Sequence, residues 1–167
     1  CIPKNLKIKE NLIVFIEGDG FSWVTKNQSS TNPTPFNPLL LKIAINLNKE
    51  NSVYLSRPCQ NTFDENFKNC SKEYWTSKIY SDEIINSMNS AINKIKLKHK
   101  AENIILVGYS GGGVISLILA SLRNDIKEVI TIASNIGLEK WASYHKISKI
   151  NSINPGKLHT LSKIKQN

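Results

Sequence analysis

Four short runs dense in aliphatic and β-branched residues punctuate the chain: residues 11–17 (NLIVFIE), 52–56 (SVYLS), 103–107 (NIILV) and 128–133 (EVITIA). Each is too short for a helix of ordinary length and reads as a buried strand. The stretches between them carry a different period. Pro38 fits the first helical position with Asn37 as its cap, ahead of an amphipathic helix over residues 39–47. Ser81 reads as the cap of a long helix with Asp82 and Glu83 in its first turn, and Ile84, Met88, Ile92 and Ile95 mark one face. Residues 114–122 are apolar on nearly every side, as a buried helix would be. The prolines between Phe21 and Pro38 predict a loop without regular structure. Strands alternating with helices in this way predict an α/β fold with a parallel sheet. Its strand ends would gather Gly18-Asp19-Gly20, residues 57–60, Ser110 and Ser134-Asn135 along one edge. Residues 1–10 read as a polar N-terminal tether, and residues 11–167 as one domain.

The sharpest chemistry lies between the third strand and the buried helix. Gly108-Tyr109-Ser110-Gly111-Gly112 fits G-x-S-x-G, the pattern of a nucleophile elbow. A serine on so tight a turn projects its hydroxyl above the sheet, and glycines two residues to either side remove a side-chain collision. A helix starting near Gly111 would aim unpaired N–H groups and its positive dipole end at charge developing beside Ser110. Nucleotide binding and a purely structural turn are the competing readings. GYSGGG lacks the G-x-G-x-x-G register and the Lys-Ser/Thr pair of phosphate loops. The following strand also lacks an acidic residue at its end to hold a ribose.

Composition narrows the choice of partners. The net charge is +9, yet all basic residues except Arg57 and Arg123 are lysines, a poor footprint for nucleic acid, where bidentate arginine contacts dominate. No cluster of metal-ligating residues is visible and no cofactor motif stands out. Cys59 and Cys70 bracket a polar loop that a disulfide would close, although free thiols would serve equally in a reducing compartment. Cys1 stands where a chain would begin with Met. It implies either a trimmed boundary or a mature lipoprotein whose N-terminal cysteine carries the lipid. No run of 18 or more apolar residues occurs, so membrane attachment would go through that lipid.

Several separate segments, in order, resemble the α/β-hydrolase superfamily, and more narrowly a group of bacterial hydrolase-like proteins that are often lipoproteins. They are IEGDGFSW at 16–23, NPTPFNP at 32–38, YLSRPCQ at 54–60, YWTS at 74–77, GYSGGG at 108–113, and the series Trp141, His145 and residues 152–155. The resemblance implies a three-layer parallel sheet with helices on both faces, lacking its last strands. It also implies a serine hydrolase in which Ser110 attacks an ester or amide carbonyl. The oxyanion would be held by the Gly111 N–H and by the backbone of Asp19, Gly20 and Phe21. A backbone role is the expectation for Asp19, rather than metal binding or base catalysis. The location implied is exported, in a bacterial periplasm or cell envelope.

The tail departs from that pattern. Such hydrolases order nucleophile, acid and histidine along the chain, and each further βαβ unit takes roughly 30 residues. Only 57 residues follow Ser110 (167 minus 110), and Glu139 is the last acidic one. The expectation is the N-terminal two thirds of a hydrolase whose acid and base partners fall elsewhere. His145 is the candidate substitute base ahead of His159, and His99 reads as solvated surface. A noncatalytic hydrolase-fold binding lipoprotein, or an inactive remnant, is the rival.

Overall fold

The computed structural model describes residues 9–62, 64–137, 140, 143 and 144. Strand β1 (Lys9–Ile16) is followed by a small hairpin, β2 (Trp23–Thr25) and β3 (Gln28–Ser29), then helix α1 (Leu39–Leu47) and strand β4 (Ser52–Leu55). Two 3₁₀ segments at Asp64–Asn69 and Lys72–Trp75 lead to helix α2 (Asp82–His99), strand β5 (Ala101–Tyr109), helix α3 (Gly111–Leu122) and strand β6 (Ile126–Ile132). The main sheet runs β4-β1-β5-β6, parallel throughout.

Handedness explains where the helices lie. The chain steps from β1 outward to β4, then returns past β1 to β5 and on to β6. With right-handed crossovers, the first connection must cover one face and the next two the other. Accordingly α1 packs through Leu40 on the face of Phe15 and Val107, while α2 and α3 pack on the face of Leu12, Val14, Ile16, Ile104 and Leu106. Strand alternation supplies both sets. Residues of α3 from Val114 to Ala120 are all buried, for this helix packs on β5, β6 and β1 and against α2, which fits its apolar circumference. Each fully buried Leu or Ile there contributes roughly 1.5–3 kcal/mol.

Several local expectations need correction. Strand β1 starts at Lys9, so it takes in the last residues of the expected tether. The segment between Phe21 and Pro38 is not devoid of regular structure, since β2 and β3 pair antiparallel within it. Pro38 is the N-cap of α1 rather than its first helical residue, and Asn37 does not cap the helix but accepts a bond from the Lys42 ammonium. The buried carboxylate of Glu17 caps it instead, accepting from the Leu40 N–H at 3.0 Å and from the Gly18 N–H at 3.3 Å. Ser81 precedes α2 as expected, but its hydroxyl makes no capping bond and is buried without a partner among the described residues.

Asp125, just before β6, ties this strand to α2. Its carboxylate accepts from Arg123 and from Lys96. Burial alone would raise its pKa, but these two cations outweigh burial and hold it below the ordinary 3.8. A carboxylate depressed in the folded state stabilises above its unfolded pKa, and that stabilisation is lost as pH falls through the folded value. Asp125→Asn is therefore expected to lower the urea midpoint at pH 7. The difference from the parent should close as pH falls through the depressed folded-state value, below the ordinary 3.8.

Candidate active site

The reversal of strand order between β1 and β5 opens a crevice beyond their carboxyl ends, the place where ligands bind in open parallel sheets. Glu17 to Phe21 leave β1 there, and Ser110 leaves β5. A cleft of about 430 Å³ lies between them, lined by these residues together with Pro35, Phe36, Asn37 and Tyr109.

Ser110 has φ 50° and ψ −121°, backbone values that L residues rarely adopt, and it connects β5 to α3 without a residue to spare. Its N–H donates to the Ile132 carbonyl at 2.8 Å, and its carbonyl accepts from the Gly113 N–H at 3.0 Å. The hydroxyl makes no capping bond. Glycines permit the turn by close approach. A Cβ on Gly108 would stand 2.4 Å from the Gly113 Cα, and one on Gly112 would stand 2.1 Å from the Ile16 carbonyl oxygen. Gly112, two residues after the serine, thus serves mainly to seat α3 against the end of β1, a tertiary reason beyond the local collision the spacing suggests.

Around the serine, the loops expected at one edge do meet. The Asp19 carboxylate packs over Gly111, where an added Cβ would stand 1.8 Å from its Oδ1, and Ser134 Oγ is equally close to Gly113. Arg57, 4% exposed, donates to Asp19 Oδ1 and, at 3.2 Å, to the Ile79 carbonyl. Its guanidinium lies 5.6 Å from the centre of the buried Tyr80 ring, whose hydroxyl stands 3.5 Å from the same carboxylate oxygen. Burial first, then the charge of Asp19, pushes the Tyr80 phenol far above its ordinary range, so it stays protonated. Gln60 donates to the Gly18 carbonyl at 3.0 Å. The side chain of Asp19 thus has a structural partner that sequence reasoning did not assign. The conspicuous R-P-C-Q after β4 was the available signal.

The first-turn N–H of Gly111, next to Ser110, has no acceptor within its own helix. In the opposing loop the Phe21 N–H donates to the Pro33 carbonyl at 3.1 Å. That engagement removes Phe21 from the expected oxyanion donors and leaves the N–H groups of Asp19 and Gly20. Phe21 meets the cleft through its ring.

Cys59 and Cys70 form a disulfide with a Cα–Cα distance of 5.8 Å. It anchors the loop carrying Arg57 and Gln60, and Trp75 packs the following segment down by donating to the Ser30 carbonyl at 3.2 Å. Reduction is expected to destabilise the fold by roughly 3 kcal/mol. Guanidinium unfolding with and without a thiol reductant measures it. His145 and Cys1 lie outside the described residues, as does His159. Among the described residues, no group of three or more His, Cys, Asp or Glu is placed to hold a metal ion, and no helix is long and apolar enough to cross a membrane.

No family model matches the chain, and no curated protein matches its sequence. Among solved structures it is similar to the acylaminoacyl peptidase of Pyrococcus horikoshii, with a TM-score of 0.53 and 15% identity, over 95% of this chain and 25% of that one. The chain therefore spans about a quarter of the peptidase's length. At that identity the likeness speaks to fold alone. Parallel strands in the order β4-β1-β5-β6, helices on both faces and a strained serine between β5 and α3 together make this an α/β-hydrolase fold.

Proposed function

We propose that the chain is a serine hydrolase acting on an ester or amide, with Ser110 as the nucleophile. The observation that carries this reading is the backbone of Ser110. A non-glycine residue held at φ 50° costs on the order of 1–3 kcal/mol, and here it lines a cleft. Strain of that kind persists where it positions a reacting group. In the proposed reaction Ser110 Oγ attacks the carbonyl carbon while a base takes its proton. The tetrahedral oxyanion is held by the Gly111 N–H and by Asp19 or Gly20 N–H. Collapse expels the leaving group with that proton, and water then releases the acyl group. His145, which lies outside the described residues, is this chain's candidate substitute for that base. Residues 32–38 shape the substrate pocket, and the chain is anchored in a cell envelope through a lipid on Cys1. The Cys59–Cys70 bridge suits an oxidising compartment of that kind.

A fluorophosphonate probe read by intact mass tests the nucleophile. One adduct on the parent and none on Ser110→Ala is the expected result. An unlabelled parent would leave a hydrolase-fold protein that binds without turnover.

A further inference from the structure

The two carboxylates that line the cleft are already committed. The Glu17 carboxylate accepts from the Gly18 and Leu40 N–H groups, and Asp19 is paired with Arg57. None of the described lining residues is cationic. What these residues leave for a ligand is apolar and unspent. The Phe21 and Phe36 rings lie 4.7 Å apart, tilted 49°, at the side of the cleft, with Pro35 beside them. Phe36 is 84% exposed, a large apolar surface left to water beside a candidate nucleophile. Resting on the reading of Ser110 as nucleophile, we propose that this aromatic wall binds the acyl portion of the substrate. The preferred substrates are esters of neutral, apolar acids of medium chain length. Acids carrying a second carboxylate are disfavoured, because the Glu17 carboxylate lies in the cleft, Arg57 is already committed to Asp19, and no lining residue is cationic.

The specificity of the full chain toward p-nitrophenyl acetate, octanoate and hemisuccinate tests this. Octanoate should have the highest kcat/KM and hemisuccinate the lowest. Phe36→Ala should lower the ratio of kcat/KM for octanoate over acetate about tenfold, since a pocket discriminates by the apolar surface it covers. Equal losses on acetate and octanoate, or a preference for hemisuccinate, would overturn the proposal. Should the chain turn over no ester, the nucleophile reading fails and the wall is tested separately. Calorimetric titration of Ser110→Ala with p-nitrophenyl octyl ether should then show binding that the added Phe36→Ala weakens about tenfold. Absent binding, or unchanged affinity, would refute it.

Discussion

Ser110→Ala is expected to lower kcat/KM on any ester the chain turns over by at least about 10⁴-fold, with almost no change in stability. The hydroxyl makes no capping bond, and alanine retains the same backbone restriction, so little structure is lost with the oxygen. What survives should be the modest rate that oriented N–H donors give without a nucleophile. Ser110→Gly should abolish activity equally but raise stability. Release of strain at φ 50° gains on the order of 1–3 kcal/mol, against roughly 0.5–1 kcal/mol for the greater freedom of glycine when unfolded. The net gain is about 1 kcal/mol, which thermal unfolding of the two variants would resolve. Stability gained at the site where activity is lost is the signature of strain kept for function. A glycine variant no more stable than the alanine one would mean that the turn is relaxed, and the backbone argument for Ser110 would fall with it.

The layered fold was legible because its signals are local and periodic. Residues 12–16 form an unbroken apolar run that fits a strand covered on both faces, and Ile84, Met88 and Ile92 repeat at helical spacing on the buried side of α2. The elbow was legible because close approach leaves glycines in the sequence. What escaped depends on contacts between distant residues. Glu17 caps a helix starting 22 residues later, at Leu39, and no rule of sequence spacing connects the two. The hairpin of Trp23–Thr25 and Gln28–Ser29 is too short to show a period, and the exposure of Trp23 and Val24 hides any alternation. Nothing local says whether the hydroxyl of Ser81 reaches a helix N–H. Asp19 was read for a backbone role, and its flanking glycines said nothing of the arginine 38 residues away that holds its carboxylate.

That arginine should be the most damaging single truncation outside the hydrophobic core. Arg57→Ala leaves the Asp19 carboxylate unpaired beside the elbow and the Ile79 carbonyl without its donor. Breaking a buried pair by removing one partner costs about 3–5 kcal/mol, and the partial exposure of Asp19 places the loss near the lower end. For a chain of this size about 3 kcal/mol corresponds to a fall in Tm of about 6–12 °C. Catalysis should suffer beyond stability, because Asp19 and Gly20 carry N–H donors assigned to the oxyanion. Misplacing one such donor costs about 10²–10³ in kcat. Arg57→Lys should recover little, since a lysine ammonium cannot span both Asp19 and the Ile79 carbonyl in the fixed geometry of a guanidinium. The double variant Arg57→Ala with Asp19→Asn separates the two effects. Neutralising Asp19 should return part of the lost stability, because the uncompensated charge is gone, while kcat stays low because the loop is still unheld. A double variant no more stable than Arg57→Ala alone would show that the pair is not coupled. One that also regains kcat would show that the charge of Asp19, rather than the placement of its backbone, is what Arg57 controls.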